Sequence, residues 1–223
     1  MKKLFIVTEG ETEELFVKKV IRPHLQRLGM HAEAQQWITN RKLGTGGGGG
    51  NFDLIENHIR RLMSRYQHDQ TVFISVMVDL YAFPKQGNSV FDDTISKIQN
   101  GKDKVLRLED RLKERMAYRN FIPYVQLYEF ETLLLSKPDA LSVFYTDKKK
   151  EIEALADEVS GMNPEDINDT PEGAPSRRII KHILKYEKQK TSAGVITAEK
   201  IGLPHLRATC SHFNDWITKL ERL

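Results

Sequence analysis

The N-terminal segment has the pattern of a strand that passes directly into an amphipathic helix. Leu4 to Val7 is a short apolar, partly β-branched run, and helix-spaced apolar residues follow from Glu14 to Leu28. Glu9 therefore lies at the carboxyl end of a predicted strand, where open α/β sheets bind their ligands. Thr8 and Glu11 also match a helix capping box, so capping and catalysis both remain open for this segment.

Strand and helix patterns alternate through the first two thirds of the chain, which is typical of βαβ units and a parallel sheet. The predicted elements are strand one at Lys3 to Thr8, helix one at Glu11 to Leu28, strand two at His31 to Thr39, helix two at Phe52 to Tyr66, strand three at Thr71 to Val78 and strand four at Phe121 to Leu127. Only helix patterns follow Ser136. We therefore predict an α/β core over residues 1–136, with a mostly parallel sheet flanked by helices, and a helical extension over residues 137–223 that packs on it.

The composition is that of an ordinary folded protein. Of the 223 residues, 39% are hydrophobic and 29% are charged, so intrinsic disorder is not expected. Cys210 is the only cysteine, so no intrachain disulfide can form. No stretch is apolar over the length that a membrane span needs, which predicts a cytoplasmic protein without membrane contact. The net charge of +3 is too small to identify a nucleic-acid binder.

Acidic side chains follow three of the predicted strands. Glu9 follows strand one, Asp79 follows strand three, and Glu129 and Glu131 follow strand four. In a parallel sheet these carboxylates would emerge along one edge, where they would repel one another unless a cation lay between them. An oxygen-only ligand set suits Mg²⁺ or Mn²⁺. Each carboxylate could instead cap its own turn or helix, and their joint placement favours the metal.

Basic residues offer two candidate phosphate contacts. Arg41 and Lys42 precede the glycine-rich segment Gly44 to Gly50, which we interpret as a flexible loop in preference to a phosphate cradle, and predict to be mobile. Arg177, Arg178 and Lys181 follow Pro175 on a predicted helix whose start would attract phosphate. A solvated helix face explains these three residues equally well.

The strand ends also carry a family resemblance. Glu-Gly-x-Thr-Glu follows strand one, Val-Asp-x-Tyr ends strand three, Tyr-Glu-Phe-Glu follows strand four, and Pro-Glu-x-Ala-Pro-Ser-x-Arg begins at Pro171. With these motifs the chain resembles, over nearly its whole length, a Toprim-like prokaryotic family of unknown function that is often encoded beside an ATPase in presumed defence loci. That family is related to Toprim nucleases.

The resemblance implies roles for individual residues. Glu9 would be the acid, base or metal-ligating glutamate and Asp79 the first metal aspartate, while Tyr81 stands where Toprim nucleases have a second aspartate. Either Glu129 or Glu131 then supplies the missing ligand, or the site binds metal weakly and has lost catalysis.

Together these observations predict a Mg²⁺-dependent phosphodiesterase, a nuclease that acts on DNA or RNA in a prokaryotic defence system with a partner ATPase. The alternative is a non-catalytic Toprim-like effector or regulatory subunit of an ATPase complex. Tyr81 favours this alternative, whereas the clustered carboxylates favour the enzyme. A homodimer is expected in either case.

Overall fold

A four-stranded parallel sheet lies at the centre of the computed structural model, which describes residues 1–37, 50–168 and 173–223. The strands are β1 (Lys3–Thr8), β2 (His31–Gln36), β3 (Val72–Asp79) and β4 (Phe121–Gln126). Their order in the sheet is β2-β1-β3-β4, and every neighbouring pair is parallel. All four carboxyl ends therefore lie along one edge. The predicted α/β fold with a parallel sheet between helices is confirmed, and it is consistent with a Toprim-like fold.

Helices occupy most of the rest of the described chain. They are α1 (Glu11–Phe16), α2 (Arg22–Arg27), α3 (Phe52–Arg65), α4 (Asp93–Ser96), α5 (Gly101–Met116), α6 (Glu131–Leu134), α7 (Lys149–Glu158), α8 (Pro175–His182), α9 (Lys190–Ile201), α10 (Leu203–Thr209) and α11 (Ser211–Glu221). A π-helical turn, Val17–Ile21, joins α1 to α2, so the predicted first helix is one continuous helical segment with a local widening. Three 3₁₀ segments lie at Pro138–Val143, Pro164–Asp166 and Leu184–Lys188.

The sheet is covered on both faces, because β1, β3 and β4 are mostly apolar and buried. The edge strand β2 instead alternates between buried and partly exposed residues. Successive residues of a strand point to opposite faces, so Phe5 and Val7 pack with α3 and α5, whereas Leu4 and Ile6 pack with the C-terminal helices. On that second face Trp216 of α11 stacks on Tyr124 of β4, with ring centroids 4.3 Å apart.

The C-terminal helices thus share one hydrophobic cluster with the sheet. No strand follows β4 in the described residues, and the boundary that we predicted at residue 136 stays a prediction. Cys210 is buried at the start of α11, and burial raises the pKa of its thiol to about 12. Among the described residues, no helix is both long and apolar enough to cross a bilayer.

Candidate metal centre

The strand order places two of the predicted site residues at the point where the chain connections diverge. β1 pairs with β2 on one side and with β3 on the other. The helical connection from β1 to β2 therefore runs to one side of β1, and β3 lies on the other side. Glu9 follows β1, and Asp79 is the last residue of β3. In open α/β sheets the crevice at such a switch point is the usual ligand site.

Asp79 is the centre of an acidic cluster. Its Oδ2 accepts a hydrogen bond from the backbone N–H of Phe130 (3.1 Å), whereas its Oδ1 is buried without a hydrogen-bond partner among the described residues. Burial raises the pKa of Asp79 well above its usual value, and the negative charges of Glu13, Glu9 and Glu131 raise it further. These three carboxyl groups and that of Asp79 form what we call the acidic cluster.

Glu9 and Glu13 enter the cluster from the β1–α1 junction. Burial and the charge of Glu13 raise the pKa of Glu9 to about 8, although a hydrogen bond from the Asp79 backbone works in the opposite direction. Glu13 is itself buried, which raises its pKa, and its Oε2 accepts a hydrogen bond from the Gly10 N–H (3.0 Å). The junction therefore holds two carboxyl groups against the end of β3.

Glu13 is the member of the cluster that sequence reasoning did not identify. Glu13 lies in the first turn of α1, where the helix dipole alone favours an acidic residue. It is, however, the closing glutamate of the Glu-Gly-x-Thr-Glu motif, and a glutamate at the third helical position often reaches back to the residue before the helix. The spacing of this motif could therefore have identified Glu13 as a candidate site residue.

Glu131 enters from the opposite side, at the start of α6. It is buried, and burial raises the pKa of its carboxyl group to about 7, while the charge of Lys190 lowers it. Tyr186 donates its hydroxyl proton to Glu131 Oε1 (3.1 Å), and Lys190 Nζ lies 3.7 Å from the same oxygen. Two residues of the predicted extension thus hold one carboxylate of the cluster.

Glu129 has a different partner from Glu131. Its two carboxylate oxygens accept hydrogen bonds from the backbone N–H (2.8 Å) and the hydroxyl group (3.0 Å) of Ser176, in the first turn of α8. A helix start attracts an anion, and here the anion is the protein's own carboxylate. The structure therefore separates two residues that the sequence left interchangeable: Glu131 joins Asp79, and Glu129 anchors α8.

The ligand set is not preassembled around a vacant cation position. Within residues 1–37, 50–168 and 173–223, no three His, Cys, Asp or Glu side chains are already grouped as metal ligands. The residues nevertheless suit a hard cation, because Asp79 Oδ1 is a buried carboxylate oxygen without a hydrogen-bond partner in the described residues, and the charges of three more carboxyl groups act on Asp79. Their raised pKa values favour the protonated forms of these carboxyl groups when no cation is bound.

The predicted phosphate contacts fall into two groups, of which one lies outside the described residues and the other is on α8. Arg41 and Lys42, and the segment Gly44 to Gly49, lie outside the described residues. The backbone N–H groups of the first turn of α3 donate to Gln86 O, Asn51 Oδ1 and Asn51 O, so this helix start is not open to phosphate.

The basic residues of α8 differ from one another. Arg178 is buried and donates to Glu158 Oε1 (2.7 Å), and Lys181 Nζ lies 2.8 Å from Glu158 Oε2. Arg177 is exposed. Glu158 therefore engages two of the three predicted phosphate contacts, and their phosphate-binding role stays a prediction.

Gly10→Ala is expected to disturb the cluster through Glu13. A Cβ atom at Gly10 would lie 3.0 Å from Glu13 Oε2, closer than side chains normally approach, so this carboxylate must shift. We expect a loss of stability on the order of 1 kcal/mol, as for a weakened hydrogen bond. Urea unfolding without metal measures it. Gly50→Ala, which meets open space, is the matched control, and equal effects of the two substitutions would contradict the role of Glu13.

Comparisons with known proteins give a family and two similar structures. No curated protein matches the chain. Two structures of the C-terminal region of the Xanthomonas campestris pv. campestris OLD protein are similar to it. One, phased with mercury, has a TM-score of 0.39 and 10% identity over 98% of both chains. The other, phased with platinum, has a TM-score of 0.37 and 11% identity over 99% of this chain and 96% of its own.

The family match covers almost the whole chain. A family model with the description "Domain of unknown function (DUF4276)" matches residues 8–221. The matched part includes both Glu9 and Asp79 and the C-terminal helices. The relation to Toprim nucleases stays a prediction. The predicted membership of a family of unknown function is confirmed, because the chain belongs to the DUF4276 family.

Proposed function

We propose that this chain is a Mg²⁺-dependent phosphodiesterase, a nuclease that acts on DNA or RNA. The observation that carries the proposal is Asp79 Oδ1, a buried carboxylate oxygen that has no hydrogen-bond partner among the described residues. Leaving such an atom unpaired costs stability, and surrounding it with three more carboxyl groups adds to the cost. A site with these properties is typical of function and not of packing.

Asp79, Glu9, Glu13 and Glu131 would hold Mg²⁺ or Mn²⁺. When bound, such a cation polarises a phosphate group and lowers the pKa of a bound water. The chain's own hydrogen bonds orient the carboxylates for this task. Phe130 N–H holds Asp79, Gly10 N–H holds Glu13, and Tyr186 holds Glu131, so each side chain keeps at least one oxygen in place.

Lys190 is the basic residue best placed to contact a phosphate beside the cluster. Its side chain is 39% exposed, and its Nζ lies 3.7 Å from Glu131 Oε1. The next residue, Thr191, has its hydroxyl oxygen 3.1 Å from that of Thr12, which ties the start of α9 to α1. Lys190 can therefore pair with Glu131 in the free protein and neutralise substrate phosphate during the reaction.

Two glutamate variants test the assignment of the ligands. Glu131→Gln should lower Mg²⁺-dependent cleavage of DNA or RNA by about a hundredfold or more, because it removes a charge that the cation needs. Glu129→Gln should cost far less activity, but should lower the free energy of unfolding by about 1–2 kcal/mol, because the Gln amide group cannot accept both bonds from Ser176. Cleavage assays with Mg²⁺, Mn²⁺ or EDTA, beside urea unfolding, measure both effects. The reverse ranking of the two activities would show that Glu129 is the ligand.

A second candidate function is a non-catalytic effector or regulatory subunit of an ATPase complex. It is favoured by the finding that no three metal-ligating side chains are preassembled in the described part of the chain, and by the exposure of Tyr81, which is 41%. An assay of the purified protein, alone and with an ATPase encoded beside it, separates the two functions. If the protein binds the ATPase but cleaves nucleic acid neither alone nor with it, the effector function is supported. Light scattering on the same sample tests the predicted homodimer.

A further inference from the structure

Two tyrosines stand side by side next to the acidic cluster. Tyr81 comes two residues after Asp79, and Tyr128 comes directly before Glu129. The backbone N–H of Tyr81 donates to the carbonyl oxygen of Tyr128 (3.1 Å), which continues the pairing of β3 with β4 beyond the ends of both strands. The two rings lie at the same sheet edge as the cluster, with centroids 5.7 Å apart and planes inclined by 55°.

The pair presents aromatic surface to solvent. Tyr81 is 41% exposed and Tyr128 is half-buried. Tyrosine side chains are neutral at physiological pH, so the pair can offer an aromatic face without adding to the negative charge of the edge.

The backbone holds Tyr128 in an unfavourable conformation. Its φ is +58°, a left-handed value that is unfavourable for a residue with a Cβ atom. Gly101 makes room for the ring, because a Cβ atom there would lie 2.5 Å from Tyr128 Oη. The strain and the close approach of Gly101 both serve to place this ring beside the exposed one. Tyr128 also packs, partly buried, against the hydrophobic cluster on one face of the sheet, which helps to hold its ring in this position.

The chemistry of the neighbourhood suits a nucleobase. Carboxylates repel a phosphate backbone, so a nuclease with this cluster gains from a contact that does not depend on charge. A base can stack on an aromatic side chain whatever its identity, because every base has a π face. Lys102 and Lys104 follow Gly101 in the first turn of α5, with Lys102 Nζ 3.2 Å from Ser211 Oγ and Lys104 Nζ 3.4 Å from the carbonyl oxygen of Ser96.

We propose that Tyr81 and Tyr128 form a stacking surface for an unpaired nucleobase, so that the substrate is single-stranded beside the phosphate to be cleaved. This inference rests on the proposed nuclease function. Bases within a duplex are already stacked on their neighbours and cannot reach the two rings without being extruded. The surface therefore makes the enzyme selective for single strands, ends or loops over continuous duplex.

The test measures binding and cleavage separately. The probe is a fluorescein-labelled oligothymidylate that carries one 2-aminopurine, used alone and annealed to its complement, with the full-length chain in Mg²⁺ and in EDTA. For the single strand, Tyr81→Ala should weaken binding by about tenfold, whereas Tyr81→Phe, which keeps the ring, should stay within about threefold. The stacked 2-aminopurine should be quenched by the wild type and by Tyr81→Phe only. Val143→Ala is the control, since Val143 is 43% exposed on the C-terminal extension.

The outcomes distinguish this inference from the proposed function. Mg²⁺-dependent cleavage by the wild type, with no change of single-strand binding or of quenching in Tyr81→Ala, would overturn the stacking surface and leave the nuclease intact. Quenching that depends on Tyr81 without any cleavage would support the surface and overturn the nuclease. Tighter binding of duplex than of single strand would overturn the surface, and absence of both binding and cleavage would overturn both proposals.

Discussion

Asp79→Asn is expected to abolish Mg²⁺-dependent phosphodiester cleavage, with a loss of about a thousandfold or more. The substitution keeps the size of the side chain, and its amide oxygen can still accept the hydrogen bond from Phe130 N–H. It removes the charge at the centre of the acidic cluster, where a bound cation stabilises the transition state by several kcal/mol. Steady-state cleavage of a single-stranded oligonucleotide at several Mg²⁺ concentrations measures the loss.

The same variant should be at least as stable as the wild type when no metal is present. Asp79 must either carry a proton or a charge beside three other carboxyl groups, whereas asparagine is neutral at every pH. The gain should therefore grow as the pH rises, and thermal melting in EDTA measures it. Asp110→Asn makes the same change of charge at an exposed position of α5 and is the control. Unchanged cleavage by Asp79→Asn would mean that the cation binds elsewhere.

The sequence was sufficient to predict the sheet, because β1 and β3 are short apolar runs that must be buried and strand patterns alternate with helix patterns along the chain. Asp79 follows such a run, and its place at the carboxyl end of a strand is a local property. The order β2-β1-β3-β4 is not local, since it depends on the packing of the helices between the strands. The strand order brings Glu9 beside Asp79. Their proximity could therefore be expected from a parallel sheet, but not from the number of residues between them in the sequence.

Side-chain partners distant in sequence explain what could not be predicted. Glu129 and Glu131 lie two residues apart with similar surroundings in sequence, but Ser176 pairs with Glu129, and Tyr186 pairs with Glu131. The rule that helix starts attract anions holds at α8, yet the anion is Glu129 and not a phosphate.

The basic residues of α8 also have a partner that is distant from them in sequence. Glu158, at the end of α7, pairs with Arg178 and Lys181, and nothing local to α8 indicates that partner. Motif spacing did carry one missed signal, because Glu13 closes a motif whose first residue is Glu9. Local rules therefore located the candidate site, whereas long-range contacts decided which of its residues take part.

The metal-free protein is expected to lose stability as the pH rises from about 5 to 8.5. Folding raises the pKa of Glu9 to about 8 and that of Glu131 to about 7, both from 4.5, chiefly because both groups are buried. The folded state therefore binds more protons than the unfolded state within this range, so the free energy of unfolding falls with pH. Each pKa unit is worth about 1.4 kcal/mol, which predicts a loss of several kcal/mol and a decrease of Tm on the order of 10 °C.

Saturating Mg²⁺ should remove most of this decrease, because the cation takes the place of the bound protons. Glu9→Gln should flatten the profile in EDTA, since it deletes a group whose pKa is raised to about 8 by burial. Below pH 4.5 the stability should fall again as Glu158 titrates, because hydrogen bonds from Lys181, His182 and Arg178 outweigh its burial and lower its pKa to about 2. Melting curves at a series of pH values, with EDTA or Mg²⁺, measure each part. A Tm in EDTA that stays constant or rises between pH 5 and 8.5 would show that the carboxyl groups of the cluster are charged without a cation. In that case the cluster would not need a metal at this edge of the sheet.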